Sequence, residues 1–251
     1  MKRPNYFINS VEKVFTVLNT FTNVKPSISL TELAKTSRMT LGTAHRYLLT
    51  LKELGYVVQN TEDKKYRVTP KVLSIGFSAL RSMDLRTRVL PYMIQMTKER
   101  DVNTQCTILE GIEIVYIERV RSSNVINVDL TVGSRLPAYC TATGKAILAF
   151  MDNGESCQRI DQMNLLPLTP YTITNRRALL EDLRLTRERG YAISNQELTL
   201  GFRNLAVPIF KEGKVEAALG ISFPIYRTEA NDLESVYAKE ILEIAKKVSI
   251  E

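Results

Sequence analysis

Apolar residues recur with a helical period over residues 9–21, where Val11, Val14, Phe15 and Leu18 fall on one stripe. Asn9 or Ser10 is a suitable N-cap for that helix. A second helix opens at Ser29-x-x-Glu32, a capping-box pattern, and turns Leu30, Leu33 and Ala34 inward. Ser37-Arg38-Met39 reads as a turn. A third helix then runs over 41–54 behind a Thr40 cap and stops at Gly55, a favoured residue just past a helix end. On that third helix Ala44, Tyr47, Leu48, Leu51 and Leu54 share one stripe, and Thr43, Arg46 and Thr50 fall on the other side.

After Gly55 the period drops to two. Residues 56–59 and 66–68 are short β-prone runs on either side of the polar, turn-rich segment 60–65. Three helices and a hairpin predict a winged helix-turn-helix over 1–70. Thr69-Pro70 punctuates the chain, and 71–84 reads as a linker helix. The pattern over 85–251 predicts helices at 85–100, 143–151, 175–189 and 230–248, with strands near 104–109, 112–120, 125–131, 203–210 and 215–223. Hairpin-paired strands with helices outside them predict an α+β domain with a largely antiparallel sheet.

Charge sharpens this division. Residues 1–80 hold 12 Lys and Arg against 5 Asp and Glu, and residues 81–251 hold 22 of each, so the net +7 belongs to the first third. A basic helical module beside a neutral one suggests a nucleic-acid grip fused to a sensor. The 44% apolar and 24% charged content is ordinary for a globular protein. The longest uncharged run, 162–175, has 14 residues and two prolines, too short for a membrane helix. Glu12 follows the start before any signal-like stretch develops, so a cytoplasmic location is expected. Cys106, Cys140 and Cys157 form no CxxC pair, and the sole histidine is His45. Buried structural thiols are therefore expected, with no metal site and no cofactor.

The third helix carries the candidate DNA chemistry. An outward Arg46 can pair bidentately with a guanine edge, while Thr40, Thr43 and Thr50 supply hydroxyls for phosphate or base contacts. Gly42 lets backbone approach closely. His45, at the flank, suits a phosphate contact or plain solvation equally. Lys64, Lys65 and Arg67 on the wing can hold DNA backbone or minor groove, although wing-tip lysines also serve solubility.

In the neutral part, 132–150 forms a bent loop running into a helix, with amides near Thr141 to Gly144 placed to receive an anion. It is not a Walker phosphate loop, because Ala146 follows Gly144-Lys145 and Tyr139 stands where the upstream glycine belongs. This loop carries the pattern Gly133…Pro137…Thr141-Ala142-Thr143-Gly144-Lys145-Ala146. With a second pattern, Gly190…Gly201…Ala206-Val207-Pro208, and the winged helix, the chain resembles the IclR family of bacterial transcription regulators over nearly its whole length.

The resemblance implies a C-terminal ligand-binding domain similar to GAF and PAS folds, with a pocket floored by the sheet and capped by the 141–144 loop. Carried over, its lining includes Thr141, Ala142, Thr143, Ser194, Asn204, Gly220 and Ser222, with Tyr139 and Arg135 as candidate rim residues; Arg135 suits a subunit contact equally. Ser194 and Asn204 stand where the family often has Asp and Cys, which argues against a glyoxylate-type ligand. Residues 191–208 look closer to the subgroup controlling aromatic-acid catabolism. The expected partners are operator DNA with paired half-sites, a small organic acid (aromatic acids included), and further copies of the chain as a homodimer or homotetramer. Two other readings stay open. One is an enzyme with a DNA-binding head, using Cys140 as nucleophile. The other is a DNA-binding protein that ignores ligands.

Overall fold

A computed structural model describes residues 4–21, 25–123, 130–227 and 233–250. The chain divides into two compact units, Met1–Ser82 and Met83–Glu251. In the first unit the elements are α1 (Asn9–Leu18), β1 (Ser27–Ile28), α2 (Leu30–Thr36), α3 (Leu41–Glu53), β2 (Val57–Gln59), β3 (Tyr66–Val68) and α4 (Lys71–Arg81). The expected capping box forms: the Ser29 hydroxyl accepts from the Glu32 amide at 3.3 Å, and the Ser29 amide donates to Glu32 Oε2 at 3.1 Å. Val17, Leu33, Ala34, Ala44, Leu48, Leu51, Val57 and Tyr66 close one core.

The wing differs from the simple hairpin that the alternation predicts. Ser27 and Ile28 add an edge strand, giving the antiparallel order β1-β3-β2. Two residues are too few to leave a periodic trace, so pairing with β3 creates this strand. The Lys71 ammonium donates to the Leu54 carbonyl at 2.8 Å and lies over the Tyr56 ring, joining α4 to the end of α3. No residue of α4 is buried, and Leu73, Ile75 and Phe77 are exposed.

The second unit holds α5 (Asp84–Arg100), β4 (Asn103–Glu110), β5 (Glu113–Val120), β6 (Arg135–Pro137), α6 (Ala142–Phe150), α7 (Asn153–Asp161), α8 (Arg176–Arg189), β7 (Ala192–Asn195), β8 (Phe202–Lys211), β9 (Lys214–Pro224) and α9 (Lys239–Val248). One six-stranded antiparallel sheet, ordered β6-β5-β4-β9-β8-β7, organises it. The sheet is the antiparallel one that the hairpin pattern predicts. The strand expected at 125–131 lies largely outside the described residues. β6, β7 and α7 carry too few periodic apolar positions to stand out as sequence. The expected last helix begins as a π turn at Leu233–Ala238 before α9.

Helix α6 packs against the sheet through small residues. Ala142, Ala146, Ala192, Ala206 and Ala218 are buried together, and this brings the helix backbone close to the strands. Helices α5 and α9 meet the sheet as well, through β4, β5, β8 and β9. The start of α6 therefore stands over the middle of the sheet, where β4, β9 and β8 run side by side.

Candidate functional site: a solvent-facing helix and a polar cleft

In the first unit, α3 is capped as expected. The Thr40 hydroxyl accepts from the Thr43 amide at 3.3 Å and donates to the Thr43 hydroxyl at 2.9 Å. That pairing draws Thr43 half out of solvent. The exposed stripe is consequently Gly42, His45, Arg46, Leu49 and Thr50, rotated slightly from the Thr43, Arg46, Thr50 stripe of the helical wheel. The Thr50 hydroxyl donates to the Arg46 carbonyl, so it serves its own helix. His45 and Arg46 are exposed and take no protein partner among the described residues. A Cβ on Gly42 would meet nothing within 4 Å. Of the expected inward stripe, Ala44, Leu48 and Leu51 are buried, Tyr47 is half-buried, and Leu54 is exposed because it lies past the last helical turn.

The wing tip is organised by its own side chains. Asn60 and Asp63 accept the Glu62 and Lys65 amides, and Gln59 donates to the Lys64 carbonyl at 3.0 Å. Lys64, at φ 57°, and Lys65 are held exposed at this tip. Arg67 is exposed on β3 between its partners Val58 and Ser27.

In the second unit a cleft lies between the sheet and the start of α6. Its floor is built from strand register. Arg119 of β5 stands opposite Gln105 of β4, and Gln105 stands opposite Gly220 of β9. Two residues along, Asn103, Ser222 and Asn204 stand opposite one another across β4, β9 and β8. Directly opposed residues share a face, and so do residues two apart on one strand, so both rows face the same way. Gly220 is the hinge of this arrangement. A Cβ there would fall 2.7 Å from Thr143 Cγ2 and 2.9 Å from Gln105 Nε2, so only glycine lets those side chains converge.

Thr141, Ala142 and Thr143 form the cleft wall at the start of α6, where Thr141 is the N-cap and accepts from the Gly144 amide at 3.2 Å. The Ala142 and Thr143 amides have no partner among the described residues, as expected of a helix start facing an open cleft. Leu198, Thr199, Phe202, Leu130, Tyr116 and Cys140 complete the lining.

The structure therefore brings Thr141, Ala142, Thr143, Asn204 and Ser222 to one cleft, with Gly220 in its floor. It does not bring Tyr139 or Ser194 there. The Tyr139 hydroxyl donates to the Leu166 carbonyl at 2.9 Å in a buried position. Ser194 donates to the Cys140 carbonyl at 2.9 Å, stitching β7 to the turn before α6. Arg135 pairs with Glu110 and Glu113 on the sheet edge, and those bonds raise its pKa. Asn103, Gln105 and Arg119 line the cleft without having been singled out by motif. They lie in plain strand sequence, and only the register places them beside β9.

Cys140 does not have the chemistry of a nucleophile. Burial pushes its thiol up to about 12, and its sulfur donates to the Pro137 carbonyl. Thiolate is the reactive form, so this cysteine is inert near neutral pH. Among the described residues no cluster of His, Cys, Asp and Glu could hold a metal ion, and no helix is long and apolar enough to cross a membrane.

Comparison with known proteins identifies both units. Residues 10–61 match the IclR helix-turn-helix domain, and residues 77–250 match the bacterial transcriptional regulator IclR C-terminal domain. The transcriptional regulator KdgR of Escherichia coli K12 is 35% identical over 243 residues, covering 96% of this chain and 92% of KdgR. A transcriptional regulator from Rhodococcus sp. RHA1 of known structure superposes with a TM-score of 0.82 at 32% identity, covering 96% of this chain and 97% of that one. An IclR homologue of Microbacterium hydrocarbonoxydans, solved with 4-hydroxybenzoate, shares the fold at a TM-score of 0.80 and 24% identity, over 95% and 97% of the two chains. With both domain matches end to end on a winged helix and an α+β domain, the chain belongs to the IclR family of transcriptional regulators.

Proposed function

We propose that this regulator binds an operator through α3 and the wing, and that a small organic acid in the cleft changes its occupancy of that operator. The observation that carries the reading is Arg46, exposed and unpartnered on a capped helix in the unit that holds the whole charge excess. His45, Gly42, Thr40, Thr43 and Thr50 surround it, and Lys64, Lys65 and Arg67 add a phosphate grip. Residues 71–84 serve as the linker between the DNA-binding and effector-binding parts.

Two copies are needed to read paired half-sites about one helical turn, or a multiple of it, apart. The exposed Leu73, Ile75 and Phe77 of α4 supply apolar surface for a subunit contact, consistent with a homodimer or a tetramer built from it. A ligand that favours one subunit arrangement by about 1.4 kcal/mol changes occupancy tenfold, so modest differential contacts suffice. Enzymatic turnover has no support once the Cys140 thiol is held protonated.

Fluorescence anisotropy with fragments of the promoter next to the regulator's own gene tests the DNA-binding part. Arg46→Ala is expected to lose sequence preference while keeping weak, salt-sensitive binding. Equal affinity and preference in wild type and variant would refute the assignment.

A further inference from the structure

Helix α2 ends in a left-handed turn that carries an arginine. The Met39 amide donates to the Ala34 carbonyl at 2.9 Å and the Arg38 amide to the Lys35 carbonyl at 3.3 Å. These are the two bonds of a Schellman motif, with Arg38 at its left-handed position, φ 54°. Met39 and Ala34 both pack on the core of the first unit, so the motif is fixed on its apolar side as well. Helix α3 ends in the same motif. There the Tyr56 amide donates to the Leu51 carbonyl at 2.8 Å, the Gly55 amide to the Lys52 carbonyl at 2.9 Å, and the left-handed residue is Gly55, φ 77°. Glycine takes that conformation without the clash that a Cβ brings, so Arg38 is the less stable choice for its turn.

Two left-handed residues of the second unit put their side chains to use at once. Asp101, φ 54°, accepts from the Ser122 hydroxyl, and Gln196, φ 61°, accepts from the Gly201 amide at 3.0 Å. The Arg38 side chain is exposed and has no partner among the described residues. Lys64 repeats this at the wing tip, with φ 57° and an exposed side chain that has no partner among the described residues. These two cations are the only left-handed residues other than glycine in the first unit, among those described. Residues held in sparsely populated backbone regions gather at functional sites. Two cations so held, in the unit that carries the whole charge excess, point to an anion outside the protein.

Resting on the reading of α3 and the wing as the DNA-binding face, we propose that Arg38 is a further DNA contact, its guanidinium on a backbone phosphate beside the groove that α3 enters. Arg38 lies two residues before the Thr40 cap, outside the helix, at the end of α3 from which helix-turn-helix proteins reach base edges. The turn therefore meets the rim of the groove, where phosphates run, and not its floor. An arginine fork suits phosphate oxygens and keeps its charge throughout the physiological pH range. Arg46, on the exposed stripe of α3, reads sequence, whereas Arg38 fixes register and adds salt-dependent affinity. Glycine would relax the turn and lose the contact.

Fluorescence anisotropy of the full chain over a range of salt tests this, with the promoter fragment next to the regulator's own gene and a scrambled fragment of equal length as probes. Arg38→Gln keeps the left-handed strain and removes the charge. It is expected to weaken binding to both fragments equally, by about tenfold at low salt, and to lower the slope of log K against log salt by about one. Arg38→Lys is expected to keep most of the affinity and the full slope. Arg38→Gly is expected to lose affinity as Arg38→Gln does, yet to raise the calorimetric melting temperature of the first unit by about 2–5 °C. Wild-type affinity and slope in the glutamine and glycine variants would overturn the contact. A loss confined to the promoter fragment would overturn its assignment to phosphate. A glycine variant no more stable than wild type would overturn the claim that the turn holds arginine against its own preference. Wild type that binds neither fragment would overturn the DNA-binding reading together with this proposal, whereas failure at Arg38 alone leaves Arg46 and the wing in place.

Discussion

Lys145 Nζ lies 2.6 Å from Glu197 Oε1, and both side chains are almost fully buried. Asp182 Oδ2 lies 2.8 Å from the same ammonium and is itself buried, although the rest of the Asp182 side chain is partly exposed. Burial raises the Glu197 pKa, with the charge and hydrogen bond of Lys145 opposing it. The pair joins the first turn of α6, which walls the cleft, to the segment carrying Leu198 and Thr199, which also line it. Thr169 and Thr172 donate to the Gln196 and Glu197 carbonyls and hold that segment from behind.

Breaking this pair from one side leaves a buried carboxylate without its cation. Lys145→Met is therefore expected to destabilise the second unit by about 3–5 kcal/mol, measured by urea unfolding. The double variant Lys145→Met/Glu197→Leu removes both charges and is expected to regain much of that loss. Equal destabilisation in single and double variants would show that the two charges are not coupled.

Gly144 and Gly220 separate stability from ligand recognition. A Cβ at Gly144 would fall 2.3 Å from the Ala138 carbonyl oxygen, a backbone atom that cannot swing aside. Gly144→Ala is expected to lower stability by about 1–3 kcal/mol despite the better helix propensity of alanine. Gly220→Ala meets side-chain atoms instead, so calorimetry should show a smaller drop in melting temperature. Its expected signature is a lost ligand response with operator binding intact, because Thr143 and Gln105 can no longer converge.

On the wing, Lys64→Ala and Lys65→Ala are each expected to reduce the slope of log K against log salt by about one. The loss should be equal on operator and unrelated DNA, since phosphate contacts carry no sequence information. An effect confined to the operator would instead give these lysines a role in base or groove-width readout.

The three thiols should differ in accessibility. Cys106 and Cys140 are buried, and burial raises both thiols, whereas Cys157 is half-exposed. Native protein is expected to release colour from a disulfide reagent at pH 8 for Cys157 alone, and denatured protein for all three. Rapid native labelling of Cys140 would mean that the α6 start opens far more than its packing implies.

The module boundaries, the helix starts and the charge division were legible in the chain because they are local. Ser29 and Glu32 cap within one turn, Ala44, Leu48 and Leu51 repeat at helical spacing, and the charge excess needs only counting. The family resemblance carried by Thr141–Ala146 pointed to the cleft wall. The cleft floor was not legible, because it consists of residues far apart in sequence. Asn103, Gln105 and Arg119 are ordinary strand residues until register sets them beside Ser222 and Asn204. Tyr139 and Ser194 lie close to the pattern in sequence, yet folding turns them to the Leu166 and Cys140 carbonyls. Local periodicity and capping depend on neighbours three or four residues away, so the sequence alone determined a basic winged helix joined to a neutral α+β domain. Which side chains share a face depends on strand pairing between distant segments, and only the tertiary structure decided what the cleft presents to a ligand.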